Sequence, residues 1–258
     1  MIPTLLEIPL PFGWGSIPIH SFGLMMVLAF LAAWRRLELC LKEGGEDPAL
    51  AERMVTWAAI GGIIGARLLF VVGYPNDFAA DPLGTLFGGA GFVFYGGFIG
   101  GVFAVWLLLR KVGRPFWPMS DLVAPSLAIG YAVGRIGCQL SGDGDYGMAS
   151  DLPWAMSYSL GVVPTPPGLR VHPAPLYETV GALAIAYILL RVRRARQLPQ
   201  PGQIFGLYLL LSACARFLVE WVRIEPVIAL GLTQAQLVAL ALCCCGAAII
   251  GIPRKAAR

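Results

Sequence analysis

Residues 119–147 read MSDLVAPSLAIGYAVGRIGCQLSGDGDYG, and this stretch decides how the whole chain is interpreted. Its first part, 119–137, is apolar over the roughly 20 residues that a helix needs to cross a bilayer. The apolar part ends at Arg135 and runs into a polar turn rich in glycine. The stretch therefore predicts a membrane-spanning helix that brings an arginine to one face of the membrane.

The composition of the chain agrees with this interpretation. Of its 258 residues, 57% are hydrophobic and only 13% are charged, whereas a soluble domain has about 25% charged residues. The mean hydropathy is +0.73. These values exclude an ordinary soluble enzyme and predict an integral membrane protein whose solvent includes the lipid bilayer. We expect no nucleic-acid partner.

Seven apolar stretches are long enough to span the membrane. We place them near 17–39, 53–74, 92–110, 119–137, 173–191, 203–222 and 232–252. The predicted fold is thus an all-α integral membrane protein, a seven-helix bundle that forms a single membrane domain over 1–258. Residues 1–16 are expected to lie at the interface, anchored by Phe12 and Trp14, and 138–172 to form a head region between spans four and five.

The basic residues predict the orientation of this bundle. Lys and Arg concentrate in cytoplasmic loops of membrane proteins. With the N-terminus outside and the C-terminus cytoplasmic, fourteen of the 19 basic residues fall on the inner side. They are Arg35, Arg36, Lys42, Arg53, Arg110, Lys111, Arg114, Arg191, Arg193, Arg194, Arg196, Arg254, Lys255 and Arg258.

Five arginines do not follow the inner-loop pattern: Arg67, Arg135, Arg170, Arg216 and Arg223. Arg216 lies in the predicted sixth span, and burying such a charge costs at least about 2.5–3.5 kcal/mol on insertion scales. An intramembrane charge of this kind predicts a functional site. Arg67 and Arg170 receive no role from the sequence.

Two segments place arginines where they could bind an anionic lipid headgroup. Arg135 precedes the turn that contains Cys138, Asp143 and Gly147, and arginine binds phosphate oxygens with two parallel hydrogen bonds. The alternative is an ordinary helix end with an arginine reaching the interface. Arg216, Glu220 and Arg223 have spacings that place them on one helix face. The alternative there is a purely structural ion network.

Three further segments place polar groups at the same predicted depth. His172, Tyr177 and Glu178 open the fifth span, where proline and an acidic residue also favour a helix start. Tyr95 opens the third span and His20 opens the first, both at positions where interfacial residues are common. Together these segments predict a headgroup site near the outer face.

No motif of a metalloenzyme, a P-loop enzyme or a serine hydrolase is present in the sequence. The six cysteines do not form a disulfide framework, because most lie in apolar runs. We therefore expect no metal and no cofactor.

The chain resembles the prolipoprotein diacylglyceryl transferase family. The resemblance runs nearly end to end, through His20-Ser21-Phe22-Gly23, Gly134-Arg135-Ile136-Gly137, His172-Pro173, Leu176-Tyr177-Glu178 and Arg216-x-x-x-Glu220-x-x-Arg223. It implies an enzyme of the bacterial inner membrane that moves the diacylglyceryl group of phosphatidylglycerol to the lipobox cysteine of a preprolipoprotein, releasing glycerol phosphate. Its partners would be that lipid, the lipobox peptide and the bilayer.

The resemblance also implies roles for individual residues. Arg135 and Arg216 would bind the headgroup and stabilise the leaving phosphate, and Glu220 and Arg223 would support Arg216. Gly147 would shape the loop over the site. His20, His172, Tyr177 and Glu178 would line or brace it, with Cys138 and Asp143 in the adjoining loop.

Two departures from the family pattern bear on function. The family usually has a histidine, a candidate base, where this chain has Tyr95, and Tyr95 is therefore placed with Arg135 and Arg216 among the catalytic residues. A tyrosine hydroxyl is a poor base near neutral pH, so either the thiol is activated by another group or Tyr95 only orients a substrate. The loop after Gly137 has Cys138 and Asp143 in place of the usual residues and one extra residue before Gly147. A relative that uses another acceptor, and a lipid-binding or transport protein without catalysis, therefore remain as alternatives.

Overall fold

The computed structural model describes residues 1–9, 16–88 and 93–253. Phe12 and Trp14, the expected interfacial anchors, lie outside these residues. The helices are α1 Ser21–Glu43, α2 Leu50–Gly73, α3 Pro75–Ala80, α4 Pro82–Phe87, α5 Phe94–Lys111, α6 Phe116–Ser141, α7 Ala174–Arg194, α8 Gln203–Glu220 and α9 Gln234–Gly251. The strands are β1 Thr4–Pro9, β2 Ser16–His20, β3 Val227–Ala229 and β4 Leu232–Thr233.

Long helices lie over each of the predicted spans. Within the described residues, four of them, α2, α7, α8 and α9, are both long enough and apolar enough to cross a membrane. They also expose large apolar side chains, with Ile63 61% exposed, Val72 74% and Leu218 68%. Such surfaces are unfavourable in water and suit a lipid environment, so the chain is a multi-pass membrane protein.

Short elements add detail that the sequence did not predict. The segment that follows α2 contains α3 and α4, and the Asp81 side chain caps α4 by accepting a hydrogen bond from the Gly84 amide at 2.9 Å. Strands β1 and β2 form an antiparallel hairpin, as do β3 and β4. Each is a minor addition to a fold that is otherwise helical.

The chain divides into two compact units, one made of residues 1–37 and 120–258 and the other of 38–119. In the second unit, glycines let α2 and α5 approach closely. A Cβ atom added at Gly65 would lie 2.2 Å from the Gly96 carbonyl oxygen, and one at Gly100 would lie 2.3 Å from that of Gly61. Small residues at such spacing are typical of close helix contacts in membranes.

Arg67, which had no predicted role, is buried in this second unit. Its guanidinium donates to the carbonyl oxygen of Thr85 at 2.8 Å and to that of Gly88 at 2.5 Å. Arg67 therefore ties the end of α4 to α2. These two hydrogen bonds give the buried Arg67 a structural role.

In the first unit, α6, α7 and α8 share an apolar core. Its buried members are Ala124, Ala128, Ile185, Ala186, Leu189 and Ile204. At one end of this core the Asp121 carboxylate accepts hydrogen bonds from the amides of Gly202 at 2.7 Å and Phe205 at 2.8 Å. These amides belong to the start of α8, where a helix has unpaired N–H groups. The core thus fixes the helices that carry the arginines.

Candidate active site

The first unit contains a cluster of charged side chains, called the arginine cluster below, whose members are Arg135, Asp145, Glu178, Arg216, Glu220 and Arg223. Glu178 of α7 lies at its centre. Its side chain is almost completely buried, at 3% exposure. One carboxylate oxygen, Oε1, accepts hydrogen bonds from Arg216 Nη1 at 2.7 Å and from the Tyr131 hydroxyl at 3.0 Å. The other oxygen, Oε2, lies 2.6 Å from Arg135 Nε. One carboxylate therefore pairs with both arginines that the sequence placed in catalysis.

The position of Glu178 corrects one structural expectation. Helix α7 begins at Ala174, and its first turn contains no acidic residue. Glu178 is therefore too far along the helix to serve mainly as a partner of the helix dipole. Its buried charge is balanced by arginines from α6 and α8, and this pairing accounts for its presence.

Arg135 is held by several groups of different chemistry. Its Nε donates to the Tyr131 hydroxyl at 3.0 Å, and its guanidinium carbon lies 5.3 Å from the centre of the Tyr131 ring. Its Nη1 donates to the Asp145 carboxylate and to Cys138 Sγ, the latter at 3.4 Å. Within the described chain Nη2 of Arg135 has no hydrogen bond or ion pair, so it can serve a ligand.

Arg216 and Glu220 form the predicted pair on α8. Arg216 Nη2 lies 2.9 Å from Glu220 Oε2. The other oxygen of Glu220 accepts a hydrogen bond from the Thr233 hydroxyl at 2.7 Å, and Thr233 is the capping residue of α9. The start of α9 therefore orients the carboxylate that holds Arg216.

Arg223 lies just past the end of α8 and connects the cluster to the glycine-rich loop. Its Nη2 donates to Asp145 Oδ1 at 2.7 Å, and its Nη1 donates to the Asp145 carbonyl oxygen at 3.0 Å. Its Nε is 3.8 Å from Glu220 Oε2. Partial burial raises the pKa of Asp145, but the charges of Arg135 and Arg223 outweigh it and lower that pKa to about 2.

Gly147 is packed where no side chain fits. Its amide donates to the His172 carbonyl oxygen at 2.8 Å. A Cβ atom at Gly147 would lie 2.3 Å from the Val222 carbonyl oxygen and 2.9 Å from His172 Cβ. The predicted shaping role of Gly147 thus has a clear geometric basis, because the loop, the start of α7 and the end of α8 meet there.

His172 and Tyr177 form a separate polar pair beside this contact. His172 Nδ1 lies 3.1 Å from the Tyr177 hydroxyl, which also accepts a hydrogen bond from Trp154 Nε1 at 2.7 Å. Trp154 belongs to the predicted head region and is 56% exposed. The pair therefore links the head region to the first turn of α7.

Two other features stabilise the head region. Arg170, the second arginine without a predicted role, donates from Nε to the Ala155 carbonyl oxygen at 3.0 Å. Tyr158 is 1% exposed, and its hydroxyl donates to Gln139 Oε1 at 2.7 Å. Burial raises the pKa of Tyr158 to about 12. These contacts make a folded cap from the polar segment.

Cys138 and Asp143 lie beside the arginine cluster. The sequence placed the start of the head loop at 138, but α6 continues to Ser141, so Cys138 belongs to the last turn of that helix and only Asp143 lies in the loop. Cys138 Sγ and one carboxylate oxygen from each of Asp143 and Asp145 all lie within 4.8 Å of one another. Three such groups could be considered as metal ligands. However, both oxygens of Asp145 are bonded to arginines, so charge pairing accounts for this arrangement.

Two further predicted residues belong to β2 and α5. His20 ends β2, and its Nδ1 lies 3.5 Å from Thr4 Oγ1 in the N-terminal hairpin. That hairpin is connected to the end of α6 by the Ile2 amide, which donates to the Leu140 carbonyl oxygen at 2.9 Å. Tyr95 is the second residue of α5, belongs to the second unit and is 38% exposed.

Sequence reasoning missed three members of the cluster. Tyr131 could have been found, since it lies four residues before Arg135 and therefore on the same face of one helix. Asp145 and Thr233 had no comparable signal. Their partners lie 10 or more residues away in the chain and on other elements, so only tertiary structure brings them together.

Comparisons with known proteins agree on one family. The sequence profile described as "Prolipoprotein diacylglyceryl transferase" matches residues 9–252. Proteins named phosphatidylglycerol–prolipoprotein diacylglyceryl transferase are among the similar sequences. The one from Solidesulfovibrio magneticus is 32% identical over 90% of this chain and 89% of its own length. The one from Chromohalobacter salexigens is 34% identical over 93% and 90%, and the one from Clostridium tetani is 32% identical over 88% and 87%.

Proposed function

The chain belongs to the prolipoprotein diacylglyceryl transferase family, and on that premise we propose that it transfers the diacylglyceryl group of phosphatidylglycerol to the lipobox cysteine of a preprolipoprotein. One observation carries the proposal beyond family membership. Arg135 and Arg216, from different helices, share the buried Glu178 carboxylate. One carboxylate thus holds two guanidinium groups, and guanidinium groups bind phosphate oxygens with strong, directional hydrogen bonds.

Donor binding uses the groups that the cluster leaves available. In the described part of the chain, Arg135 Nη2 and Arg216 Nε have no hydrogen bond or ion pair. The remaining donors of both arginines are occupied by carboxylates or by Tyr131. A headgroup phosphate can therefore bind to the free donors without breaking the network. The paired carboxylates keep each guanidinium plane in a fixed orientation for that purpose.

The chemical step is a displacement at the glyceryl carbon that carries the phosphate oxygen. The lipobox thiol loses its proton, a carbon–sulfur bond forms, and the carbon–oxygen bond to phosphate breaks. Glycerol phosphate leaves with the bonding electrons. Negative charge grows on the departing oxygen, and preorganised arginine donors stabilise such charge more in the transition state than in the ground state.

The other predicted residues have supporting roles in this proposal. Glu178, Glu220 and Arg223 hold the two phosphate-binding arginines. Gly147 and the His172–Tyr177 pair position the loop beside them. Cys138 and Asp143 line the loop end of the site. His20 is proposed to contact substrate from the N-terminal hairpin.

Tyr95 is proposed to orient a substrate. A tyrosine hydroxyl donates and accepts hydrogen bonds well but removes protons poorly near neutral pH. The thiol proton therefore passes to another acceptor in this proposal. We propose that this acceptor is the phosphate group of the departing glycerol phosphate. This assignment separates the role of Tyr95 from that of the histidine usual in the family.

We further propose seven membrane spans, with the N-terminus outside the cell and the C-terminus in the cytoplasm. Among the described residues, α1, α2 and α5–α9 are 18 or more residues long, and basic residues cluster in the last turns of α5 and α7. The positive-inside rule puts those ends in the cytoplasm. The arginine cluster then faces the outer leaflet of the bacterial inner membrane, with 138–172 as the periplasmic head.

The test uses purified protein, phosphatidylglycerol and a synthetic lipobox peptide, with mass spectrometry of the peptide. We expect a mass gain of one diacylglyceryl group on the cysteine. Arg135→Lys should lower the rate by about a hundredfold or more, because a point charge does not reproduce the fork of donors. Arg191→Lys, in the basic end of α7, is the matched control and should keep the wild-type rate.

The result also separates the alternatives. Binding of phosphatidylglycerol without any peptide adduct would reject transfer to a lipobox cysteine and favour a lipid-binding protein. A wild-type rate in Arg135→Lys would remove Arg135 from the mechanism.

A further inference from the structure

Tyr131 contacts both partners of the central ion pair, and neither the family resemblance nor the proposed mechanism assigns it a role. It lies four residues before Arg135 on α6. Its hydroxyl accepts a hydrogen bond from Arg135 Nε at 3.0 Å and donates one to Glu178 Oε1 at 3.0 Å. The same Glu178 oxygen accepts from Arg216 Nη1. One phenol group thus connects the two arginines through a shared oxygen.

The Tyr131 hydroxyl accepts the hydrogen bond of Arg135 Nε and so fixes the direction of that N–H group. Arg135 Nε is only 2.6 Å from Glu178 Oε2, yet its hydrogen bond is made to the hydroxyl. The guanidinium carbon also lies 5.3 Å from the centre of the Tyr131 ring, a distance at which a cation is attracted to the ring face. The hydroxyl and the ring together restrict the guanidinium plane, and so the direction of its free Nη2.

The exposure of Tyr131 distinguishes it from the carboxylates around it. Tyr131 is 44% exposed, whereas Glu178 and Glu220 are 5% and 4% exposed. Arg135 itself is 14% exposed. A headgroup that reaches Arg135 past the exposed Tyr131 ring therefore meets a guanidinium that the ring and its hydroxyl already hold.

We propose that Tyr131 is a positioning residue that orients the Arg135 guanidinium toward the phosphate of the lipid donor. The proposal rests on the function proposed above for the identity of that donor. Without the hydroxyl, the Nε proton would turn to Glu178 Oε2, and Nη2 would turn away from the direction it now has. Recognition of the phosphate should weaken, while contacts with the acyl chains should remain.

The test compares two lipids that differ only in the headgroup, dipalmitoyl phosphatidylglycerol and dipalmitoylglycerol, in binding measurements on the full chain in nanodiscs. In Tyr131→Phe we expect the Kd for the phosphatidylglycerol to rise about tenfold, as for loss of a hydrogen bond to a charged group. The Kd for dipalmitoylglycerol should stay within about twofold, because it has no phosphate to lose contact with. If Tyr131 contributed only to packing, Tyr131→Phe would change the Kd values of the two lipids by the same factor.

Tyr187→Phe is the matched control. Tyr187 also precedes an arginine by four residues on a helix, and the Arg191 guanidinium carbon lies 5.9 Å from its ring centre. This pair lies outside the cluster, so both Kd values should equal those of the wild type. Equal binding of both lipids by Tyr131→Phe and wild type, or a parallel loss of both, would overturn the proposal.

A double-mutant cycle provides a second measurement. If Tyr131 acts through Arg135, then adding Tyr131→Phe to Arg135→Lys should not weaken phosphatidylglycerol binding further, because lysine has no Nε fork to orient. A further tenfold loss in the double variant would show an independent role and contradict the proposal. These binding experiments need no peptide, so they remain informative even if the wild type forms no lipidated product.

Discussion

At the scale of single residues, the cluster is built on carboxylates that neutralise buried arginines. Glu178 forms ion pairs with Arg135 and Arg216. Glu220 pairs with Arg216, and Asp145 pairs with Arg135 and Arg223. An unpaired charge at this depth would be strongly unfavourable, so each member depends on the others. The sequence predicted the Arg216–Glu220 pair because both lie on one helix. It did not predict Asp145, whose partners come from two other elements.

The depressed pKa of Asp145 predicts a pH dependence of stability. The folded pKa of about 2 is below the ordinary value of 3.8. Ionised Asp145 therefore contributes stability above about pH 4, and this contribution is lost as the pH falls toward 2. Asp145→Asn should melt at a lower temperature than the wild type at pH 5–7, and the difference should shrink as the pH falls from about 4 to 2. Thermal melting in detergent over this range measures it.

Asp151→Asn is the control for that prediction. Asp151 is an exposed carboxylate of the same loop and has no ion pair in the described part of the chain. Its substitution should leave the melting temperature unchanged. A wild-type–Asp145→Asn difference that is the same at every pH would mean that the arginine pairing of Asp145 does not stabilise the fold.

At the scale of elements, the contact between α2 and α5 depends on glycines that face each other. Glycine is repeated along the start of α5, at Gly96 and Gly100, but the sequence does not show which helix it faces. A Cβ atom at Gly100 would lie 2.3 Å from the Gly61 carbonyl oxygen and 2.9 Å from Gly65 Cα. Both neighbours are backbone atoms, so they cannot move aside as a flexible side chain could.

Gly100→Ala should therefore destabilise the protein. Overpacking of this kind costs about 1–3 kcal/mol, because α5 must move away from α2 to admit the methyl group. The measurement is thermal melting of the purified protein in detergent. Gly73→Ala is the control, since nothing lies within 4 Å of a Cβ atom at that position of α2. Equal melting temperatures for the two variants would contradict a tight α2–α5 contact.

The head region is the element that sequence reasoning described least. Its length and polarity predicted a cap, and the contacts of Gly147, Arg170 and Tyr158 agree with an ordered one. Those contacts are hydrogen bonds of backbone and side-chain groups to partners that are 15 or more residues away in the chain. Such pairing leaves no periodic pattern of hydrophobic residues, and so it could not be predicted.

At the scale of the whole molecule, the orientation in the membrane can be tested by cysteine labelling. With the six native cysteines replaced, one cysteine is introduced at Ser159 in the head region or at Gln197 after α7. Both positions are exposed. A maleimide that does not cross membranes should label Ser159→Cys in spheroplasts, because the head is proposed to be periplasmic. It should label Gln197→Cys only after the cells are lysed.

The two positions serve as each other's controls. Labelling of both after lysis shows that each thiol is reactive. Labelling of Gln197→Cys in intact spheroplasts, with Ser159→Cys protected, would reverse the orientation that the basic residues predict.

The sequence alone determined the membrane class, the approximate bounds of the long helices and the family. Each of these depends on local or repeated signals: apolar length, charge placement and motif order. Arg135 and Arg216 were likewise predicted, because an arginine at or inside an apolar span is costly wherever it points. Glu220 and Arg223 were predicted because their spacing places them on the helix face of Arg216. Glu178 was expected near the site from the family resemblance, but only the tertiary structure decided that it pairs with both Arg135 and Arg216. Only the tertiary structure decided that Tyr131, Asp145 and Thr233 complete the cluster. Their positions depend on how α6–α9 pack and where the loop folds, and such distant pairings are specified by the whole chain rather than by any one segment of it.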